Sequence, residues 1–505
     1  EKITLREFQM KAIDDITQAA TEGHRRIILQ CPAGGGKTVI AAQIIRHAVS
    51  NGQHVLFLAH RRELIWQTQE KLEAFGVEHG TLIAGEPYDP THLVCVASIA
   101  TLTARAMRRK MVNLPKADLV ICDEFAHAFS SLSWQKILAE YKSAFILGLT
   151  ATPINRAGKG MAHVADAMVK CPSIQELTDM GYLVPAVYFC PSLPDLQKLK
   201  IQAGDYVQDE LEARMNIPKL VGDIPANWER YCKGRKTLVF ASGIKHSIAI
   251  VEAFTSGGVK AAHVDGDTFP EVRDKTIKDF KDGDLQVLSN CAVLTEGYDC
   301  PIASALVFAR PTKSLMLYLQ VAGRVLRPCP EKKNCVILDH SGVIYEHGPI
   351  AQDWDWKLDY GEHKTIAQTM RKKPKNPKPI TCEKCKCVYE KQLACPMCHN
   401  VPTIQGKAVA TLDAYLKELG AADAPEVVDK RKWLAMLRHY AQSRNYKRGW
   451  ASHKYREKFG VWPWNVWGIN EAEAPDFEVI NWIKHTQIKW AKSQRNPAYA
   501  GNPNG

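Results

Sequence analysis

Pro32–Thr38 reads PAGGGKT, between the apolar run Arg26–Gln30 (RIILQ) and the apolar helical stretch Val39–Val49 (VIAAQIIRHAV). A strand, a glycine-rich turn and a helix in that order form a phosphate loop. Gly34, Gly35 and Gly36 let backbone N–H groups wrap a phosphate, and the helix N-terminus adds its dipole. Lys37 then reaches the terminal phosphates and Thr38 ligates Mg²⁺. The strict pattern has glycine at position 31, where this chain has Cys31, so the loop is a looser variant of it.

Outward from that loop, short apolar runs alternate with polar helical stretches: His54–Leu58, Leu93–Ala97, Asp118–Cys122 and Phe145–Leu149, then Thr237–Ala241, Ala261–Val264, Gln286–Ser289, Ser304–Ala309 and Cys335–Asp339. Buried parallel strands have this pattern. Two series mean two α/β lobes, expected over 1–190 and 191–362, the second including a connector around Pro185–Asp223. Arg371–Pro379 (RKKPKNPKP), with five basic residues and three prolines, reads as an extended linker. A basic linker with a cysteine module is expected over 363–410, and a helical, aromatic-rich domain over 411–505.

The 505 residues are 46% hydrophobic and 24% charged, which excludes general disorder, collagen and a disulfide miniprotein. No run of about 18 apolar residues is present, and the opening stretch is polar and amphipathic. A soluble protein of the cytoplasm, without a membrane partner, is therefore expected. Of the 66 basic and 54 acidic residues, 41 and 42 lie in 1–362, leaving 66 − 41 = 25 and 54 − 42 = 12 in 363–505. The whole positive excess lies behind the two lobes, as in a motor body followed by a nucleic-acid-binding appendage.

Asp123 and Glu124 end the run DLVIC. Such an acid pair serves ATP hydrolysis, Asp123 holding Mg²⁺ through water and Glu124 orienting and deprotonating the attacking water. Gln320–Arg327 (QVAGRVLR) sets two arginines three apart, so that on one helix face both can point at a γ-phosphate. With the phosphate loop on one lobe and the arginines on the other, ATP would bind in the cleft and its hydrolysis would change lobe closure.

Nine segments in order, LREFQ (Leu5–Gln9), PAGGGKT, LAHRREL (Leu58–Leu64), ASIATL (Ala97–Leu102), DEFAH, GLTATP (Gly148–Pro153), LVFASG (Leu238–Gly243), LTEGYD (Leu294–Asp299) and QVAGRVLR, resemble the superfamily 2 helicases. VDGDTFPEVRD, AVLTEGYDCP and LDHSG, followed by a cysteine cluster, are similar to the bacterial RadD-type branch and related phage-encoded helicases. The resemblance implies two RecA-like lobes and further roles. Gln9, with Arg6 nearby, would read adenine. Thr150 and Thr152 would couple the ATP site to the nucleic-acid path, as would Gly297 and Asp299 from the second lobe. Arg324 and Arg327 would be arginine fingers, with Gln320 beside the attacking water, and Arg61, Ser98 and Thr101 would touch the phosphodiester backbone. The chain departs from the DEAH and DEAD patterns by placing Ala126 two positions after Glu124 and His127 one later, which puts coupling through that side chain in doubt.

Ten of the fifteen cysteines are scattered through the α/β body and read as reduced core residues. The other five lie in Cys382–Cys398. Cys382, Cys385, Cys395 and Cys398 form C-x₂-C-x₉-C-x₂-C, a spacing that presents four thiolates to one Zn²⁺. Cys387 is then the spare, and iron–sulfur ligation is the alternative.

Seven of twelve tryptophans lie between Trp433 and Trp490. Rings at helical spacing make core, whereas rings interleaved with cations make a stacking surface for a single strand or junction. Lys447, Arg448, Lys454, Arg456 and Lys458 mark a candidate DNA surface, with protein docking as the competing reading. The expected function is that of an ATP-dependent helicase or translocase, acting on DNA more than RNA, in repair, recombination or phage replication. It would work beside replication or recombination proteins in a bacterial cell or phage-infected host. The alternatives are an ATP-driven remodeller or the motor subunit of a nuclease complex.

Overall fold

The apolar runs assemble into two separate sheets. The computed structural model describes residues 3–128, 131–155, 158–361 except 198, 203 and 296, 365–366, 379–401 except 391 and 393, 425–459 except 448, and, of the remainder, 462–463, 472–476, 479–480, 482–484 and 486–487. The chain divides into two units, Glu1–Ile404 and Gln405–Gly505.

In the first lobe, β1 (Arg26–Gln30), β2 (Val55–Ala59), β3 (Gly80–Leu82), β4 (Val94–Ser98), β5 (Leu119–Cys122), β6 (Phe145–Thr150) and β7 (Ala167–Lys170) form a seven-stranded sheet in the order β3-β4-β2-β5-β6-β1-β7. Every pair is parallel. β2 and β5 are buried along their whole length, as parallel strands covered on both faces must be. A parallel sheet delivers all its strand C-termini to one edge, so the phosphate loop after β1, the acid pair after β5 and the threonines at the end of β6 meet there.

The second lobe comprises β8 (Ala186–Phe189), the hairpin β9 (Ile201–Gln202) and β10 (Asp205–Tyr206), then β11 (Thr237–Ala241), β12 (Ala261–Val264), β13 (Val287–Asn290), β14 (Ala305–Ala309) and β15 (Cys335–Asp339). The cysteine segment adds β16 (Ile380–Thr381) and β17 (Cys387–Tyr389). The eight-stranded order is β12-β13-β11-β14-β15-β8-β17-β16, parallel from β12 to β8 and antiparallel beyond.

This sheet differs from the sequence expectation at both ends of the lobe. β8 falls within 1–190 yet pairs with β15, Ala186 opposite Cys335, so the crossing between lobes precedes it. The cysteine segment, expected as a separate module, lays Cys387 opposite Phe189 and so covers the edge of β8 that would otherwise present unpaired N–H and C=O groups. Cys382, Cys387 and Cys395 share an apolar cluster with Trp228, Phe254 and Phe189. Trp228 packs edge-on against Phe254 and donates from Nε1 to Thr237 Oγ1 at 2.7 Å.

After β15 the chain forms a strap back to the first lobe. Ile350 N–H donates to Tyr188 Oη at 2.9 Å in the second lobe, whereas the Leu358 carbonyl accepts from Ala162 N at 3.0 Å in the first. Ile366 N–H then reaches Gly158 O at 2.9 Å. Nothing periodic marks this strap, and Trp354 and Trp356 stack within it.

The second unit pairs the helices Pro425–Ser443 and Trp450–Phe459 around Leu434, Met436, Leu437, Ala451, Tyr455, Val479 and Ile483. Trp433 packs edge-on against Phe459 and Trp482, so these rings contribute to the core.

Candidate nucleotide site and metal centre

The phosphate loop follows β1 with Gly36, at φ 87°, capping the helix Lys37–Ser50. Gln9 is buried, and its Nε2 donates to Gly35 O at 3.1 Å while its Oε1 accepts from Arg6 N at 3.0 Å. The Arg6 guanidinium lies 4.1 Å over the Tyr182 ring. The LREFQ segment therefore packs on the loop, and Tyr182, which no motif marked, stacks on its Arg6. Lys37 Nζ lies 3.4 Å from Cys31 O, and Thr38 is half-buried on the first helical turn.

Asp123 is buried, and burial together with the Glu124 carboxylate beside it pushes its carboxyl up to about 6, while Lys37 and His60 pull the other way. Glu124 has φ 49°, a conformation that costs a non-glycine residue about 1–3 kcal/mol and is held here by its N–H on Asp123 Oδ1 at 3.0 Å. Phe125 requires Gly148 opposite it: a Cβ there would lie 2.3 Å from the ring, which accounts for the glycine of GLTATP. At the end of β6, Thr150 Oγ1 accepts from Thr152 N and donates to Thr152 O, both at 3.1 Å, fixing the turn beside the acid pair.

The second lobe closes on this edge. Gln320 Nε2 lies 3.4 Å from Glu124 Oε2. Gly323 seats on the phosphate loop so closely that a Cβ would come within 2.4 Å of Ala33 Cβ. The two arginines are not on one α-helical face, because Leu315–Ala322 ends at Gly323 and a 3₁₀ turn carries Arg324. Arg324 donates to Thr295 O and Tyr298 O, each at 2.7 Å by its shorter bond. Arg327 pairs with Asp299 and passes close to Gly34. The sequence spacing thus brings Arg327 to the phosphate loop, whereas Arg324 organises the 295–298 loop.

A second line of contacts joins LAHRREL to LTEGYD. Arg61 Nη1 donates to Val293 O at 3.4 Å, Gln67 Nε2 donates to Gly297 O, and Glu63 meets Arg273 at 3.4 Å. Ser98 ends β4, and Thr101 is only 8% exposed, turned away from the surface where the sequence places a phosphodiester contact.

Residues 2–155 match the family described as type III restriction enzyme, res subunit, and 223–329 the helicase conserved C-terminal domain. A 51.5 kDa protein of Lactococcus phage (isolate 7-9) is 32% identical over 66% of this chain and 70% of its own length. The chain belongs to the superfamily 2 helicases. Among further relatives of this helicase, a Saccharomyces cerevisiae protein whose name calls it an ATP-dependent helicase, IRC3, is 30% identical over 67% of the chain, which spans 52% of that protein's length. The DNA 3'-5' translocase XPB2 of Sulfurisphaera tokodaii is 24% identical over 65% of the chain and 79% of its own length. A solved fragment of an HsdR subunit of a type I restriction enzyme from Vibrio vulnificus shares the fold at 21% identity, TM-score 0.55, over 70% of this chain and 66% of the fragment.

In the helicase's cysteine cluster, the sulfurs of Cys382, Cys385, Cys395 and Cys398 all lie within 4.8 Å of one another. The pairs Cys382–Cys398 and Cys385–Cys395 are 3.5 and 3.4 Å apart, close to the ~3.8 Å edge of a tetrahedral thiolate zinc site. The two knuckles are built alike. Lys386 and His399, four residues after Cys382 and Cys395, both have φ 57° and return their N–H to the carbonyls of those cysteines. Cys387 instead belongs to β17, and neither it nor His399 joins the four-sulfur group.

In the second unit, Lys458 lies 4.4 Å over Trp433 and Arg456 4.7 Å over Trp462. Lys454 is engaged by Glu457 at 2.6 Å and Thr486 at 3.4 Å. Lys447 is exposed, and Arg448 lies outside the described residues. Among the described residues no helix is long and apolar enough to cross a membrane.

Proposed function

We propose that this helicase is an ATP-driven motor that translocates on DNA, in the cytoplasm of a bacterial cell or phage-infected host and beside replication or recombination proteins. The observation that carries the reading is Gln320 of the second lobe at 3.4 Å from Glu124 of the first. The base for hydrolysis and its positioning residue then meet only when the lobes close, so hydrolysis and lobe movement are one event. The cysteine cluster after LDHSG, which is similar to that of the RadD-type branch, supports this assignment.

Lys37 and Thr38 hold the terminal phosphates, with Arg6 and Gln9 at the base. Mg²⁺ held by Thr38 and Asp123 would neutralise phosphate charge. Glu124 takes the proton of the attacking water that Gln320 orients. Arg327 places positive charge by the γ-phosphate, exchanging Asp299 for it, while Arg324 holds the Thr295 and Tyr298 carbonyls beside it. Thr150, Thr152, Gly297 and Asp299 transmit closure to the track, which Arg61 and Ser98 touch, while Thr101, buried in the helix that follows Ser98, supports that contact. Zn²⁺ on the four cysteines would tie β17 to β8, a structural role suited to a closed four-thiolate site. Lys447, Arg448, Lys454, Arg456 and Lys458 grip phosphates outside the neutral body.

ATP turnover measured with single-stranded DNA, duplex, fork and RNA, followed by strand displacement on the best activator, tests the reading. Stimulation by DNA supports it, and no stimulation by any nucleic acid overturns it. Removing 411–505 should flatten the slope of log affinity against log salt, and an unchanged slope assigns the tail to protein docking. The restriction-subunit likeness over 2–155 favours a second reading, a motor subunit that moves on duplex without separating strands. DNA-stimulated turnover without strand displacement would select it.

A further inference from the structure

Cys31 stands where the strict phosphate-loop pattern has glycine, and the fold places a second cysteine beside it. β1 and β7 run parallel with Gln30 opposite Lys170, and Cys171 N donates to Gln30 O at 2.8 Å. The next residues, Cys31 and Cys171, therefore leave the ladder side by side. Neighbouring strands lie ~4.8 Å apart, inside the ~4.4–6.8 Å separation of Cα atoms that a disulfide spans. Both residues are buried. Cys31 Sγ forms the floor of the phosphate loop: a Cβ on Gly35 would come within 2.5 Å of it. Cys171 lines a cavity of about 280 Å³ together with Pro32, Ala33, Ser173, Leu319 and Trp354, a route for a small oxidant.

Cys31 is also unlike the other buried thiols. Burial pushes Cys95, Cys232 and Cys335 up to about 12. Cys31 instead is drawn below its ordinary value by the Cys171 thiol and, against burial, by Lys37 and Arg6, while Cys171 is pushed up by Cys31 and by burial. Cys31 is thus the more readily ionised thiol of the pair, and the thiolate is the form that reacts.

We propose that Cys31 and Cys171 are a redox modification site, forming a reversible disulfide beneath the phosphate loop that turns nucleotide binding off. The oxidant class is a hydroperoxide. The Cys31 thiolate attacks one oxygen of hydrogen peroxide, the O–O bond breaks, and the leaving hydroxide takes up the proton that the Cys31 thiol released, giving water and Cys31 sulfenic acid. The Cys171 sulfur then attacks the Cys31 sulfur, the S–O bond breaks, and the departing hydroxide takes the Cys171 proton as a second water. Two thiols are oxidised by two electrons, and one peroxide is reduced to two waters. The bond holds the sulfurs ~2.05 Å apart, drawing the Cys31 side chain from under Gly35 and tying residue 31 to the edge strand. Gly35 N–H now bonds Pro32 O at 3.0 Å and must turn to meet a phosphate, a freedom the tether removes.

The effect on binding rests on the nucleotide-site reading, whereas formation of the bond does not. Full-length, reduced, zinc-loaded protein is titrated with hydrogen peroxide. It is then digested without reduction for mass spectrometry, and its affinity for a fluorescent ATP analogue and its zinc release are followed in parallel. The expected result is a peptide linked through Cys31 and Cys171, at least a tenfold loss of nucleotide affinity reversed by dithiothreitol, and retained affinity in treated Cys171→Ser. Cys171→Ala repeats the comparison should the serine variant fold poorly. Absence of the linked peptide, or equal loss in both variants tracking zinc release, overturns the proposal. Reduced protein that binds no nucleotide overturns the nucleotide-site reading instead, and the linked peptide still decides whether the bond forms.

Discussion

At β1 in one lobe and β11 in the other, the same parallel core ends in opposite chemistry. After β1 the turn is glycine-rich, and no side chain caps the helix Lys37–Ser50 that follows it. After β11 the helix Ile244–Ser256 begins with its His246 N–H already bonded to the Glu212 carboxylate at 3.1 Å, while Ser242 Oγ meets His246 Nδ1 at 2.7 Å. One helix N-terminus is left for a ligand and the other is filled by the protein's own anion. The sheets differ at their flanks too, since the second is extended by the cysteine segment. The fold therefore does not distribute the chemistry. The residues at the strand ends do.

The comparison breaks most visibly at the acids. Glu124→Gln should lower kcat by about 10³–10⁴-fold with ATP binding kept, because only the base is lost. Glu212→Gln, at the filled helix end, should leave kcat within about threefold, since no reacting atom depends on it. Steady-state turnover and equilibrium ATP binding on both variants check this, and parent-like turnover in Glu124→Gln would remove the assignment.

Metal removal probes the flanks. Chelation should lower the melting midpoint of the second lobe by about 10 °C or more, because the four thiolates hold β17 on β8 and metal binding is folding energy. The first lobe should still bind ATP. Calorimetry with zinc quantification checks it, and less than half an equivalent of zinc in reduced protein would contradict the site.

A smaller effect is expected at Asp339, the aspartate of LDHSG. It accepts from Ser341 N and Oγ, Gly342 N and Ile344 N, at 2.8 to 3.0 Å. Asp339→Ala leaves those buried donors unmatched and should cost about 3 kcal/mol in urea unfolding, with ATP affinity unchanged.

The smallest effect is pH dependence. Because burial and Glu124 push Asp123 up to about 6, lowering pH through that value protonates the carboxylate proposed to hold Mg²⁺. Basal turnover should fall about tenfold per pH unit below it. A flat profile between pH 5 and 7 would show that metal binding has already drawn the proton off.

The strands were legible where apolar runs are long and continuous, as at β2 and β5, and the nucleotide motifs were legible because their residue types are demanded by phosphate chemistry. β3 and β7 were missed: one is three residues long and the other, AMVK, is exposed at its last residue, so neither carries a buried strand's signature. The placement of β8 in the second sheet depends on pairing with a strand about 150 residues away, which local pattern does not encode. Arg324 and Arg327 were placed together by helical spacing, and the helix end at Gly323 undoes that, because the close approach to Ala33 overrides periodicity. The cysteine spacing was fully readable, but its attachment to a sheet edge was not.

The strap between Ile350 and Leu358 acts as a leash. Its ends are tied to different lobes, and eight residue steps reach at most about 28 Å when fully extended. While both ties hold, the gap between those anchor points has a ceiling set by chain length alone, whatever nucleotide is bound. The stroke of the motor is thus bounded by a segment that follows the last strand of the second lobe's parallel series, and lengthening that segment would change how far the lobes travel.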